Sequence, residues 1–257
     1  VMKEMESLGV NGLYQLCRQM VPGGNTGNSK PEFAIMGYTT YVSATGREFL
    51  KKEAEEAWIK ALSISGDRNL TSFFMSMIEI IGSDRSVPPL VPFLRDSVLA
   101  LKAAPVLASI GTAAAGKALL NALTWRTVPD KELLLQALGE MKYKPAMNQL
   151  TSYALKGNLQ EKKAARHAIA EIGIPASARL MWNLTGKDGK ALQDLDATAD
   201  YAFYLQRLFE NGFAKEAGNL ASDFVRNASN SNVYAKTAAL RSLVFIRKEK
   251  ALPALAK

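Results

Sequence analysis

Apolar residues recur along this chain with the period of an α-helix, in stretches that end in a branched residue followed by glycine. Counting back from Gly111 or Gly173, apolar residues stand one, four or five, and eight positions earlier. This spacing places one buried stripe on each helix. Period-two alternation of useful length is missing from the sequence, so a β-sheet is not expected.

The stretches are spaced like the units of a two-helix repeat. Successive boundaries are 29, 28, 34, 39 and 35 residues apart, and a unit of this length holds two short helices and two loops. We predict that the boundary glycines are left-handed residues that end a helix, and that Pro88, Pro145 and Pro175 lie in the first turn of the next helix. The boundary residues are Gly82, Gly111, Gly139, Gly173, Gly212 and, in the glycine position, Arg247.

The predicted fold is all-α, a right-handed α-α superhelix of the HEAT or armadillo-like type. We expect one solenoid over residues 1–257 with about six or seven helix pairs. The pairs are irregular in 1–69, regular in 70–182 and less regular in 183–257. Polar, glycine-containing runs at 22–29 and 186–190 are predicted loops, and the first is either a connector or a functional loop.

Two runs carry a resemblance to a known repeat family. Residues 103–111 and 163–173 resemble short HEAT repeats. The resemblance covers roughly residues 55–257. It implies that the second helices line a concave surface, which in such proteins commonly binds another protein.

A second resemblance concerns the first 125 residues. Runs 9–22 and 33–43 are similar to helical regions of Bacteroidetes proteins in which HEAT-like repeats precede a jelly-roll domain of the 3-keto-disaccharide hydrolase type. This likeness implies a periplasmic or cell-envelope setting near carbohydrate breakdown, with the hydrolase domain outside these residues. The final run, 251–257, begins a new repeat without a polar end, so we expect the chain to be part of a longer protein.

Composition narrows the chemistry. The net charge of +8 is spread along the chain without interleaved aromatic residues, so nucleic acid is not an expected partner. Cys17 is the single cysteine and lies in an apolar helical run, where we expect it to be buried. His167 is the single histidine, so sites with several imidazole ligands are excluded. Nucleotide-loop and nucleophile-elbow motifs are missing from the sequence, and we predict no catalysis, no cofactor and no metal.

Three carboxylates stand close together in residues 194–200. An EF-hand loop would need glycine and glutamate where Ala199 and Leu205 stand, so we predict that the carboxylates face the N-terminus of a helix over about 199–211. His167 is predicted to be a partly exposed helix residue whose charged form is disfavoured by its cationic neighbours Lys163 and Arg166.

The predicted function is a non-catalytic interaction or scaffold module whose concave face docks a protein or an attached catalytic domain. Two other hypotheses stay open. Basic HEAT-like solenoids include alkylpurine DNA glycosylases, for which Trp125, Trp182, Arg207 and Asp200 are candidates, and lyases for tetrapyrrole attachment share the short repeat. The predicted binding residues of the concave face are Glu79, Gln136, Arg166, His167, Arg207 and Arg241.

Overall fold

A computed structural model describes residues 2–23, 27–64, 66–185 and 194–252. Within these ranges every regular element is an α-helix or a 3-10 helix, and none is a strand. The predicted all-α fold of HEAT-like helix pairs, an α-α superhelix, is therefore confirmed. The predicted loop at 186–190, part of the loop at 22–29 and most of the final run at 251–257 lie outside the described residues.

The chain divides into two compact units, 1–137 and 138–257. In unit 1, α5 packs on both α4 and α7, and α7 packs on α8, so successive helices meet as the repeat predicts. The helices of unit 1 are α1 Met2–Glu6, α2 Gly9–Cys17, α3 Ser29–Val42, α4 Glu48–Ala61, α5 Arg68–Ile81, α6 Val87–Leu90, α7 Ala100–Ile110 and α8 Ala113–Ala122. Helix α9, Lys131–Glu140, contains the boundary between the units.

In unit 2, α13 packs on α11 and on α15, so that three alternate helices lie side by side. Helix α10 packs on α11, and α14 packs on α13 and α15, which forms a second row of helices behind the first. The helices of unit 2 after α9 are α10 Met147–Lys156, α11 Leu159–Ile172, α12 Ala178–Thr185, α13 Leu195–Glu210, α14 Ala214–Asn227 and α15 Val233–Arg247.

Prolines lie at the starts of several second helices. Pro88 lies in the first turn of α6, and Pro145 and Pro175 lie in the first turn of the 3-10 helices Lys144–Ala146 and Pro175–Ser177 that lead into α10 and α12. A proline at this place loses no helical hydrogen bond because the first amides of a helix have no partner. The predicted positions of the three prolines are confirmed.

The boundary glycines fall into two groups. Gly111 and Gly173 have φ angles of 68° and 56° and end their helices in the left-handed conformation, as predicted, and Gly212 after α13 also has a positive φ, 92°. Gly82 instead is extended, with φ −61° and ψ 152°, and Gly139 lies inside α9, so both of these predictions are wrong. After α15, Lys248 has a φ of 48°, so the left-handed position falls one residue after Arg247.

Gly139 has a packing role in place of a capping role. A Cβ at this position would lie 2.6 Å from the Cα of Ala168 on α11. This is well below van der Waals contact, so α9 and α11 approach each other more closely than any side chain at position 139 would allow. The absence of a side chain at Gly139 therefore allows the short distance between α9 and α11.

Two side chains, one within α13 and one at its C-terminus, form hydrogen bonds with the C-terminal end of α11. The Asn211 side-chain amide donates to the carbonyl oxygens of Ile172 and Gly173, each at 3.0 Å. The Tyr204 hydroxyl donates to the carbonyl oxygen of Ile174 at 2.8 Å. The last carbonyls of a helix have no partner within it, so these bonds satisfy α11 and fix its position against α13.

Candidate ligand-binding site

A groove of about 490 Å³ lies between α13 and α15 on the surface of unit 2. Small residues create the space, because Ala199 and Ala202 on α13 face Ala238 on α15 across the groove. Longer side chains at these positions would fill it. We call this feature the α13/α15 groove.

Aromatic side chains form much of the wall of the α13/α15 groove. Phe203 comes from α13, and Tyr234 and Phe245 come from α15. Phe245 packs edge-on against Phe209, with ring centroids 5.7 Å apart and planes at 73°, which holds its ring in place. Tyr234 and Phe245 remain 44% and 46% exposed, so their faces are available to a ligand.

The polar residues of the groove differ in whether they already have partners. The Gln206 amide donates to Glu210 Oε1 at 2.7 Å, and the Ser242 hydroxyl donates to the carbonyl oxygen of Ala238 at 2.9 Å. In contrast, Arg241, Tyr234 and Thr237 form no side-chain hydrogen bond or ion pair with any described residue. Among the described residues that line the groove, Arg241 is the only one with a charge. The site therefore presents an unneutralised cation beside aromatic rings.

A ladder of ion pairs joins α11 to α13 on the other side of Phe203. Lys163 Nζ lies 2.6 Å from Asp196 Oδ2, and Arg207 Nη2 lies 3.1 Å from Glu171 Oε1. Successive paired residues are one or two helical turns apart on each helix. Each residue of α11 therefore lies directly beside its partner on α13. The ladder fixes the side of α13 that carries Phe203.

The middle of the ladder is a cluster of the buried residues Arg166 and Asp200 with the exposed residue His167. Asp200 Oδ2 accepts a hydrogen bond from Arg166 Nε at 2.6 Å, and Asp200 Oδ1 lies 2.9 Å from His167 Nδ1. Arg166 and Asp200 are only 7% and 9% exposed, whereas the His167 side chain is 55% exposed. The carboxylate therefore orients the imidazole through Nδ1, and about half of the side chain remains exposed.

Asp200 also determines the charge of His167. The hydrogen bond to the Asp200 carboxylate raises the pKa of His167 above its ordinary value, and this outweighs the opposing effects of burial and of Arg166. Arg166 disfavours the charged form, as expected, but the expectation considered only residues on the same helix and missed the larger effect of Asp200 on α13. Partial exposure of His167 is confirmed.

His167 is joined to the groove through Phe203. The two rings are parallel to within 1°, with centroids 5.1 Å apart, and Phe203 lines the groove. The guanidinium carbon of Arg207 lies 4.7 Å from the centroid of the same ring. Phe203 therefore contacts His167 and Arg207 and also lines the groove.

The six residues predicted to bind are divided between the units. Glu79, in unit 1, is paired with Lys102 at 2.6 Å, and Gln136 is exposed on α9. The other four, Arg166, His167, Arg207 and Arg241, lie on the adjacent helices α11, α13 and α15 of unit 2. Among the described residues, Arg241 lines the groove, while His167 and Arg207 contact its Phe203 wall. Binding by these six residues stays a prediction.

Sequence reasoning missed the aromatic walls. Phe203 lies where the repeat pattern is weak and Tyr234 and Phe245 lie in the last repeat, and an aromatic residue in an apolar helix usually belongs to the core. The sequence contains one signal for them. Tyr234, Arg241 and Phe245 recur at helical spacing and form a stripe on one side of a helix, and a two-layer helix array can leave such a stripe outside its core. That signal becomes meaningful only when α13 is known to be the neighbour.

The carboxylates of residues 194–200 have separate roles. Asp194 is the N-cap of α13 and accepts from the amide of Ala197 at 3.0 Å, so the predicted helix N-terminus is confirmed, although the helix begins four residues before position 199. Asp200 is different, since it lies in the second turn and pairs with α11. Among the described residues no group of three or more histidine, cysteine or acidic side chains could hold a metal ion.

The candidates for a DNA glycosylase are engaged in packing. Trp182 packs edge-on against Tyr201, with centroids 5.3 Å apart, and Trp125 lies under the guanidinium of Arg95 at 4.4 Å. Asp200 is held by its two cationic partners. This geometry does not favour a carboxylate free to act on a flipped base.

Two further observations concern the thiol of Cys17 and the hydrophobicity of the helices. Cys17 is buried, as predicted, and burial raises the pKa of its thiol far above the ordinary value, so it is not a reactive thiolate. In the described ranges, no helix combines the length and the apolar character that crossing a membrane requires.

Comparison with known proteins gives a likeness of architecture. Neither the protein-family models nor the curated proteins match this sequence. The chain is similar to a solved structure of the complex of CpcE and CpcF of phycocyanin lyase from Nostoc sp. PCC7120. The identity is 19%, the TM-score is 0.43, and the match covers 87% of this chain and 98% of that chain. At this level the likeness concerns the helical fold alone.

This finding corrects the predicted function. The prediction of a non-catalytic interaction or scaffold module assumed that a HEAT-like array without a known catalytic motif has no active site. The structure to which this chain is similar is named as a lyase, so an array of this kind does not exclude catalysis. The prediction that the chain is a non-catalytic scaffold is therefore wrong, and the lyase activity is a property of that other protein.

Proposed function

We propose that unit 2 binds an amphipathic organic anion in the α13/α15 groove, with the apolar part of the ligand between the aromatic walls and its acidic group on Arg241. The observation that carries this proposal is the unpaired Arg241 beside Phe203, Tyr234 and Phe245. Pockets for small organic ligands combine an apolar lining with a few polar groups that fix orientation. The groove has this composition and a volume of about 490 Å³.

The aromatic walls and Arg241 together favour a ligand that has both an apolar part and an acidic group. Aromatic and alkyl surface gains free energy by leaving water for the walls, roughly 25 cal/mol for each Å² buried. A guanidinium recognises a carboxylate, sulfonate or phosphate with two parallel hydrogen bonds, and the Tyr234 and Thr237 hydroxyls can add further ones. A neutral apolar molecule would use only the walls, and a small inorganic anion would use only Arg241.

The experiment compares two dyes of nearly the same shape. Anilinonaphthalene sulfonate (ANS) is an aromatic anion, and phenylnaphthylamine is its neutral counterpart. We expect both to bind, and we expect Arg241→Gln to weaken ANS about 5- to 10-fold while leaving the neutral dye nearly unchanged. Ala238→Leu should weaken both dyes, because the leucine fills the groove. Dissociation constants from fluorescence titrations supply the measurement.

Arg179→Ala is the matched control. Arg179 is an exposed arginine on α12 of the same unit and has no ion pair with a described residue. It should leave the affinity for ANS unchanged if Arg241 acts as a specific ligand. Equal effects of Arg179→Ala and Arg241→Gln would mean that ANS responds only to net charge, and the proposed site would be rejected.

The setting implied by sequence resemblance stays a prediction. A periplasmic or envelope location and a hydrolase-type jelly roll in the same protein derive from runs 9–22 and 33–43, and a protein partner derives from the HEAT-like runs 103–111 and 163–173. They support the present proposal only by allowing an organic ligand outside the cytoplasm. The gene around this sequence tests them, with a signal peptide upstream and a β-rich domain downstream as the expected result.

A further inference from the structure

We infer that His167 determines how strongly the α13/α15 groove selects anions, because its imidazole adds a titratable positive charge behind the Phe203 wall. This inference rests on the proposed function and names a specificity-determining residue that does not itself line the groove. Anion binding should strengthen when His167 is protonated, while binding of a neutral ligand of the same shape should change little.

The geometry gives His167 a fixed place next to the ligand. Its ring stacks on Phe203 with a centroid distance of 5.1 Å, and Phe203 contacts the groove. A ligand in van der Waals contact with the opposite side of this wall would lie roughly 10 Å from the imidazole. At that distance a unit charge is felt through protein and water but makes no direct hydrogen bond.

Protonation of His167 changes the charge of its surroundings by one unit. Asp200 is shared between Arg166 and His167, with contacts of 2.6 Å and 2.9 Å. Arg166 also lies 3.9 Å from Asp194 Oδ2, so protonation of His167 takes the group of Arg166, His167, Asp194 and Asp200 from one net negative charge to neutrality. Arg207, the other cation at Phe203, differs because Glu171 and Glu210 both pair with it.

His167 is an imidazole, a side chain that ordinarily changes its charge between about pH 5 and pH 8, and two carboxylates and a guanidinium act on its pKa. Asp200 on α13 and Glu171 on α11 favour the charged form, whereas Arg166 on α11 opposes it. Helices α9, α10 and α12 also pack on α11, and none of their charged residues contributes to the pKa shift of His167. His167 is also the single histidine of the chain, so a binding transition in this pH range has one imidazole as its source.

The experiment follows the affinity of the full chain for ANS from about pH 5.5 to about pH 8.5, a range in which the sulfonate stays ionised and imidazole titrates. We expect the affinity to be about 2- to 5-fold higher at the acidic end, the effect of one charge at this distance. Phenylnaphthylamine should show little pH dependence. His167→Gln, which keeps a donor for Asp200, should bind ANS weakly at every pH, and His167→Arg should bind it tightly at every pH.

A measurement on the unsubstituted protein gives an independent check. Binding and protonation are reciprocal, so if protonated His167 strengthens ANS binding, saturating ANS must raise the pKa of His167 by the logarithm of the same factor. The imidazole proton resonance in NMR spectra reports this pKa directly, because the chain has one histidine. Phenylnaphthylamine should leave it unchanged.

Each outcome decides a different statement. If ANS binds through Arg241 but its affinity is independent of pH, or if His167→Gln keeps the pH dependence, the role of His167 is rejected and the proposed function stands. If ANS binds at no pH, the proposed function fails, and the inference fails with it. An unchanged pKa of His167 with ANS bound would also reject the inference, even if a variant were unstable.

Discussion

The ionisation of His167 depends on a partner that is 33 residues away along the chain. Its neighbours on α11 include Lys163 and Arg166, which by themselves would favour the neutral imidazole. Asp200 reverses this preference because the carboxylate accepts a hydrogen bond from the ring, and it raises the pKa of His167. A single contact between helices therefore outweighs the local composition of one helix.

The raised pKa of His167 predicts how stability depends on pH. A raised value in the folded state means that the interaction contributes fully below the unfolded pKa of 6.5 and is lost as pH rises through the folded pKa. The side chain is 55% exposed, so we expect a contribution below about 1 kcal/mol. Urea unfolding of the wild-type protein and of His167→Gln at about pH 6 and about pH 8.5 measures it.

The two proteins should differ mainly at the acidic pH, where only the wild-type protein has a charged His167 beside Asp200. At the alkaline pH their free energies of unfolding should converge. A difference that is the same at both pH values would show that His167 stabilises through packing on Phe203 alone.

The helices show that glycine serves two purposes in this repeat. Gly111 and Gly173 end helices because they adopt positive φ angles that residues with a Cβ rarely take. Gly139 is within a helix, where glycine is intrinsically unfavourable, and its value is the close approach of α11. The repeat pattern places both kinds at the same position, so it does not distinguish them.

Substitution of Gly139 separates the packing role from helix propensity. Gly139→Ala should gain up to about 1 kcal/mol of helix propensity. The new Cβ would lie 2.6 Å from the backbone of Ala168, so the helices must separate, and we expect a net loss of about 1 to 3 kcal/mol. Chemical denaturation of the full chain supplies the measurement.

Gly37→Ala is the control for Gly139→Ala. Gly37 is also inside a helix, but the nearest atom to its new Cβ would be the flexible end of Met2, at 3.4 Å. We expect this substitution to stabilise the protein by as much as about 1 kcal/mol. If both substitutions changed stability in the same direction and by the same amount, close packing at Gly139 would not be the reason for the glycine.

For the molecule as a whole, local contacts organise each unit. In unit 2, each helix packs on its neighbours along the chain or on the next helix but one, as in α11 with α10 and α13. Such arrays are stabilised by each repeat and by its contact with the next, so part of an array can fold by itself. The α13/α15 groove needs only residues from two of these helices.

A fragment tests whether unit 2 is sufficient for binding. Residues 131–257 keep α9 intact, and we expect this fragment to be helical by circular dichroism and to bind ANS within about 2-fold of the full chain. Residues 138–257 begin inside α9 and should be less stable to heat, because a shortened helix covers less of α11. A folded 131–257 fragment without ANS binding would move the site away from the α13/α15 groove.

The amino-acid sequence by itself determined the all-α repeat, the helix stops at Gly111 and Gly173, and the starts at the three prolines. These features depend on hydrogen bonds and dihedral angles within a few residues, so periodicity and residue type are sufficient to predict them. It did not determine that catalysis is absent, since a missing motif says nothing about sites built from several helices.

The tertiary structure decided the rest of the candidate site. It placed Phe203 and Arg241 on facing helices and gave His167 a carboxylate partner. It also showed that Gly139 packs against α11 and does not end a helix. Each of these depends on which side chains meet across 28 or more residues of chain. The physical reason is that a charge or an aromatic ring acts on whatever lies within a few ångströms in space, and distance along the chain does not define that neighbourhood.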